Sequence, residues 1–335
     1  MGGGVRYPSS RRRRFTIETG EVFKSNGASE PIDIILITHG RLEELTIPCV
    51  QALYTNTRNL FHLIVVDDST PDMDDGKDKT PQWFKRCQIE CKNITFIHSD
   101  VPYRNGNQLF NIGLAAGDAR FVATVMNSTL VEPDWDVVVT QMMAQNPKIG
   151  ITGLKCIKLG WGDNLDGKIE CAGITMNGFT PSDMGRDESG HRLAVSYPCF
   201  SLQWAFAMLR REAVVGNIDE NIWQGFVGFD DIDNTLYLRY KGWEAWYCGL
   251  GAGYHKTHAT RGSNEDEVLL KNRKNAEIFY KRWGYWDAFK ARNPYAPEYY
   301  PNGEVKFLCN ANDLPLTIDT TPPIKVNSIE EIKRD

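Results

Sequence analysis

Apolar and polar positions along this chain alternate between short, nearly unbroken apolar runs and longer amphipathic stretches. Beginning at Pro31, the run Ile32-Asp33-Ile34-Ile35-Leu36-Ile37 ends in the polar turn Thr38-His39-Gly40-Arg41 and reads as a first strand. Leu42 to Tyr54 then carries Leu45, Val50, Leu53 and Tyr54 as an apolar stripe, which predicts a helix that Pro48 either kinks or begins. A second run, Phe61-His62-Leu63-Ile64-Val65-Val66, stops at Asp67-Asp68-Ser69-Thr70. The third, Ile94-Thr95-Phe96-Ile97, leads through Asn105-Gly106-Asn107 into a helix ending near Gly117, and the fourth, Phe121 to Met126, ends in Asn127-Ser128-Thr129. Strands apolar on both faces and alternating with helices predict an α/β fold with a mostly parallel, Rossmann-like central sheet flanked by helices. Such sheets bind ligands beyond the carboxyl ends of their strands, so Thr38, Asp67, Asn105 and Asn127 are expected to meet at one crevice.

Further along, Gly228-Phe229-Asp230-Asp231-Ile232-Asp233 crowds three acids at the start of an apparent helix, with His255 beyond it. Ionised neighbours repel, so the crowding costs stability unless the helix N-terminus, a cation or a ligand offsets it. Capping accounts for one or two such acids, with Asp230 as the cap and Asp233 in the first turn, but less readily for three. Absent are a glycine-rich dinucleotide fingerprint after the first strand and a phosphate-loop lysine motif, which removes the main support for nicotinamide or ATP chemistry.

Composition narrows the picture only a little. With 335 residues and a net charge of -5, the chain is large enough to build a core without disulfides, so its eight scattered cysteines are expected to be reduced and buried. Cys87 and Cys91 have a helical spacing, and no second cysteine pair or histidine cluster completes a zinc site around them. No apolar run approaches the length of a membrane span, and the N-terminal stretch lacks the apolar segment of a signal peptide, so a cytoplasmic protein with no transmembrane segment is expected. Arg11-Arg12-Arg13-Arg14 is the only feature pointing to nucleic acid or anionic lipid, and a solvated tail explains it as well.

Four segments resemble glycosyltransferases of family 2, which have the GT-A fold. Ile34 to Arg41 is similar to the opening strand and loop, and Val65-Val66-Asp67-Asp68-Ser69-Thr70-Pro71-Asp72 to the second strand with its base-facing acid. Asn105-Gly106-Asn107-Gln108-Leu109-Phe110-Asn111-Ile112-Gly113 resembles the helix lining the nucleotide, and Phe229 to Asp233 the acidic signature, with Arg239, Gly242 and His255 following in order. The resemblance runs from about Pro31 to Gly284. It implies that Thr38 and Arg41 flank the nucleotide, that Asp67 pairs with the base, and that Asn105, Gly106 and Asn111 shape the pocket, although caps and turns also explain these residues. It further implies Asp231 as general base of an inverting transfer, with Asp230 in reserve, acting on a nucleotide-diphosphate sugar, UDP-linked by preference.

One departure stands out. At Met126-Asn127-Ser128-Thr129, Ser128 occupies the place of the acid that in relatives holds a divalent ion. A Mn²⁺ or Mg²⁺ cofactor is thereby in doubt, since hydroxyl and amide groups alone hold such ions poorly. Three outcomes stay open: Asp230 or His255 holds the ion with substrate phosphates, cations such as Arg41, Lys256 or Arg261 replace it, or catalysis is lost. Asn127 and Ser128 remain donor-site candidates, and His255 the metal candidate.

The expected organisation is a single large domain of two fused halves. A basic tail spans 1–30, a nucleotide-sugar half 31–135, an acceptor and catalytic half 136–290, and a C-terminal extension 291–335. The resemblance implies as acceptor a glycan, a lipid-linked or another hydroxyl compound. Trp223 and Gln224, just before the acids, are its leading contacts, while Trp161, Trp204 and Tyr197 are expected either to stack on sugar or to sit in the core. Two further readings compete: a silent nucleotide-sugar-binding protein, favoured by Ser128, and a transferase acting on nucleic acid.

Overall fold

The computed structural model describes residues 31–68, 78–98, 105–159, 167–177, 180–223, 225, 228–256 and 265–283. The apolar run at Ile32 forms strand β1 (Ile32–Thr38), followed by a π-helical turn at Leu42–Thr46 and helix α1 (Ile47–Asn56). Pro48 falls in the first turn of α1, where its missing N–H is no loss, so it begins that helix rather than kinking it. There follow β2 (Phe61–Asp67), α2 (Thr80–Glu90), β3 (Ile94–His98), α3 (Gly106–Ala115) and β4 (Phe121–Met126). The later part of the chain adds β5 (Thr129–Val131), α4 (Trp135–Gln145), β6 (Ile149–Lys158), β7 (Ile169–Cys171), β8 (Ile174–Asn177), β9 (Thr180–Asp183), β10 (Ser196–Pro198), β11 (Phe206–Arg210), α5 (Arg211–Val214), α6 (Asp230–Tyr240), β12 (Glu244–His255) and α7 (Glu265–Arg282).

One ten-stranded sheet carries the fold in the order β10-β12-β6-β11-β4-β1-β2-β3, with β5 paired to β12 and β7 to β6. β1 runs parallel to β2 and β4, β2 to β3, and β12 to β6. Because β11 is antiparallel to both β4 and β6, those two are parallel to each other, and the carboxyl ends of β1, β2, β3, β4, β6 and β12 share one edge. The expected mostly parallel α/β sheet is thus present.

Alternation of side chains across the pleat divides the core in two. Ile32, Ile34 and Leu36 pack with Val50 and Leu53 of α1, Phe84 of α2 and Val139 of α4. On the opposite face Ile35 and Ile37 pack with Leu109, Phe110 and Leu114 of α3 and with Ala213 and Val214 of α5. A third apolar cluster joins α6 to α7 through Ile232, Leu236, Ala276 and Phe279, with Ile222 and Trp223 beneath them. Asp33, buried within β1, is held by Arg211 Nη2 at 2.5 Å and by the Ala119 N–H at 2.9 Å. Arg211 also donates to the carbonyls of Ala119 and Leu114.

Candidate active site

The shared edge of the sheet is where the polar residues named above gather. At its centre the fully buried Asp67 ends β2, directly opposite Thr38 of β1 and His98 of β3 in the strand register. Thr38 Oγ1 donates to Asp67 Oδ1 at 2.8 Å, and His98 Nδ1 donates to Asp67 Oδ2 at 2.9 Å. Both carboxylate oxygens are therefore engaged inside the protein, and Asp67, expected to pair with a nucleobase, also anchors the ends of the neighbouring strands. What reaches the crevice is His98, whose side chain keeps 29% of its exposure; with its Nδ1 proton fixed on Asp67, Nε2 is the nitrogen left for a ligand. Nothing in the sequence singled out His98 except that it is the polar residue closing a third parallel strand. His39 donates through Nδ1 to the Asp68 carbonyl at 2.6 Å, and the Asp68 N–H donates to the Thr38 carbonyl at 2.8 Å, so the β1 and β2 ends are stitched together.

The chain leaves β1 through two successive residues with left-handed backbone, Gly40 (φ 65°) and Arg41 (φ 57°). Arginine in that region is strained, and such strain tends to accumulate at functional sites. The Arg41 N–H donates to Asp78 Oδ2, which pins the turn, and its guanidinium pairs with Glu44, with Nε 3.2 Å from Oε2. Glu44 in turn accepts from Lys256 Nζ at 2.5 Å. Asn127 is buried at the end of β4, its amide donating to the Gly40 carbonyl and to Thr46 Oγ1 at 3.0 Å, so it secures the same turn. Beside it the Ser128 carbonyl accepts from the Lys256 N–H at 2.9 Å.

Helix α3 serves as a fastening strip. Asn105 caps it by accepting from the Gln108 N–H at 3.0 Å, while its amide donates to the carbonyls of Glu220 and Trp223. Gly106 is the first helical residue. Asn111 Nδ2 donates to the Ile218 carbonyl and to Glu220 Oε2, and Asn107 exchanges amide hydrogen bonds with Asn234 of α6 at 2.7 and 3.1 Å. The asparagines expected to shape a nucleotide pocket thus direct these amide donors to the 218–223 segment and α6, and the head of α6 is drawn toward the start of α3.

That head carries the acids. Gly228 (φ 90°) and Phe229 (φ 71°) turn the chain abruptly into α6, where Asp230, Asp231 and Asp233 occupy the first turn. Favourable interaction with the helix N-terminus offsets part of their repulsion. Asp233 is buried and structural: Trp283 Nε1 donates to it at 2.8 Å and Arg282 Nη1 lies 3.1 Å away, while burial pushes its carboxyl up to about 6 against the lowering influence of Arg282. Asp230 and Asp231 keep partial exposure, and Asp231 Oδ1 accepts from the Ile232 N–H.

Aromatic residues expected against an acceptor are mostly core. Trp223 is 3% exposed within the α6–α7 cluster, Trp204 donates to Thr235 Oγ1, and Tyr197 is buried and donates to the Ala172 carbonyl. Trp223, expected as an acceptor contact, packs in that apolar cluster. Gln224, Trp161, Arg261, the basic arm at 11–14 and the segment 291–335 lie outside the described residues.

The fold family implies a divalent ion, and the residues fit one poorly. His255 has a suitable posture, because Nδ1 donates to the buried Glu170 Oε2 at 2.7 Å and Nε2 remains available. Yet Ser128 offers no carboxylate, the Asn127 amide is committed to the β1 turn, and the ammonium of Lys256 follows His255 immediately. Among the described residues no cluster of three or more His, Cys, Asp or Glu side chains is placed to hold a metal.

No protein-family model matches the chain. It is 26% identical over 277 residues to the uncharacterized protein y4gI of Sinorhizobium fredii, covering 78% of this chain and 29% of that protein, so it spans under a third of that relative's length. Among solved structures it is similar to GalNAc-T7, crystallised with UDP, GalNAc and Mn²⁺, at a TM-score of 0.63 and 14% identity, over 82% of this chain and 53% of that one. A second similar structure is the mannosyltransferase PcManGT of Pyrobaculum calidifontis with GDP-Man and Mn²⁺, with a TM-score of 0.49 and 14% identity over 73% and 64% of the two chains. Topology and the GalNAc-T7 likeness together establish that this chain has the GT-A fold of the glycosyltransferases.

Proposed function

We propose that the chain is a glycosyltransferase of the family 2 type that moves a sugar from a nucleotide-diphosphate donor, UDP-linked, to an acceptor hydroxyl with inversion. The donor lies along the carboxyl edge of β1 to β4, with the base against His98, which Asp67 and Thr38 orient, and the diphosphate beside Arg41, Asn127 and Ser128. Asp231 is the general base, and Asp230 its reserve. As the acceptor oxygen attacks the anomeric carbon, its proton passes to the Asp231 carboxylate, the bond from sugar to diphosphate breaks, and the nucleoside diphosphate leaves with the electron pair. Residues 31–135 supply the donor half and 136–290 the acceptor half; the acceptor is a glycan or another hydroxyl compound.

The observation that carries this reading is the Asn107–Asn234 pair, which fastens the acidic head of α6 to the start of α3 and so to the crevice side of β3. Donor-dependent product formation by the full chain tests it. Asp231→Asn should lower turnover by about 10²–10⁴-fold while leaving donor binding intact. A variant as active as the wild type removes Asp231 from the mechanism. Ser128 favours one other reading, a nucleotide-sugar-binding protein without transfer, which tight donor binding with neither hydrolysis nor product would select.

A further inference from the structure

We infer that the donor diphosphate is held by an organic cation pair, Arg41 and Lys256, and that Glu44 occupies its position in the ligand-free protein. This rests on the donor site proposed above and replaces, within it, the carboxylate-held ion of the fold family. Three segments that are distant in sequence converge to make the pair. The strained turn at Gly40 and Arg41 follows β1, Asn127 and Ser128 follow β4, and Lys256 follows β12. The register fixes Lys256, because His255 lies opposite Thr129 and the Lys256 N–H bonds the Ser128 carbonyl. The Asn127 amide fixes the other side by binding Gly40 and Thr46. The backbone of Lys256 is thereby held at Ser128, the position where the family resemblance implies a metal-binding acid, and its ammonium meets the Arg41 guanidinium on one carboxylate: Lys256 Nζ on Glu44 Oε1 and Arg41 on Glu44 Oε2.

Chemistry supports exchange at this point. A guanidinium offers a fork suited to two phosphate oxygens and an ammonium offers a compact charge beside it, so together they supply the two positive charges a divalent ion would. Glu44 is exposed, and a solvent-facing carboxylate between two cations adds little net stability, so a more highly charged diphosphate displaces it readily. The Lys256 contact first, and then Arg41, hold the Glu44 carboxyl below the usual range, which keeps it ionised as a stand-in anion.

Calorimetric titration of the full chain with UDP, GDP and uridine, each in EDTA and again with Mn²⁺, tests the inference. Wild-type protein should bind UDP equally in both conditions. Lys256→Ala and Arg41→Ala should each weaken UDP by about tenfold or more in EDTA without changing uridine binding, which also shows that the variants are folded. Glu44→Gln should tighten UDP several-fold. UDP binding that requires Mn²⁺ and ignores Lys256→Ala overturns the cation pair while leaving the donor site standing. A wild-type chain that binds neither nucleotide, with or without Mn²⁺, overturns the donor site and the pair together.

Discussion

Thr38 shows how little of a site residue's role follows from its type alone. Its hydroxyl ends a strand and would ordinarily be available to cap or to bind, yet it is 1% exposed and donates to a carboxylate that is itself fully buried. Asp67 is tolerated there because Thr38 and His98 satisfy both of its oxygens, since an ionised carboxylate taken from water without such partners is costly. Thr38→Val should therefore destabilise the fold by about 1–3 kcal/mol, read from urea unfolding at neutral pH. An unchanged midpoint would mean that water or another group takes over the Asp67 oxygen. The same pair shows what the sequence left out at Asp67: an acid closing a strand suggests a ligand, while the hydroxyl and imidazole that hold it come from residues 29 and 31 positions away.

At the level of elements, α6 depends on α7. Trp283 and Arg282 grip Asp233, Arg282 also reaches Asp219, and Asn275 donates to the Gly228 carbonyl at the turn that launches the acids. Because burial raises Asp233 to about 6 in the folded chain, it keeps its proton over a range in which the unfolded chain has released it, from about pH 4 upward. Stability contributed by this group is thus greatest below pH 4 and is lost as pH rises to 6, by about 3 kcal/mol. Asp233→Asn should lack that slope, so the wild-type advantage over the variant must shrink between pH 4.5 and 6.5 in matched denaturation curves; parallel curves would contradict it. These dependencies mark the boundary of what could be read from residues. β1, β2 and β4 were legible because each is a nearly continuous apolar run that is largely buried, β3 as a short apolar run at the sheet edge, and Pro48 left open whether it kinked α1 or began it. β5, β7 and β10 have three residues each, too few to show a period, and β12 spans Glu244–His255 although only Trp246-Tyr247-Cys248 reads as strand, since Gly249, Leu250 and Gly251 interrupt it at a register shift. The order of segments that suggested the GT-A fold survived, whereas the tasks of Asn105, Asn107 and Asn111 depended on partners more than 100 residues away.

For the molecule as a whole, a single sheet runs through strands from both ends of the described chain, and Arg211 shows how tightly they are joined. It crosses 178 residues of sequence to meet Asp33 inside β1, where burial would raise the acid but hydrogen bonds from His62 and the Ala119 N–H, with the charge of Arg211, hold it below the ordinary range. Arg211→Met should cost about 3–5 kcal/mol by stranding that carboxylate. Fluorescence and far-UV circular dichroism should still report one coincident unfolding transition, and separate midpoints would show that the sheet does not unfold as a unit. The same continuity applies to the thiols. Cys49, Cys87, Cys91, Cys156, Cys171, Cys199 and Cys248 are all buried thiols, with no disulfide among the described residues, and burial pushes Cys49 and Cys87 up to about 12. Thiolate chemistry at these seven positions is closed to an alkylating reagent until the interior opens, so the speed at which iodoacetamide marks them becomes a stopwatch for whole-chain opening, built in without any added label.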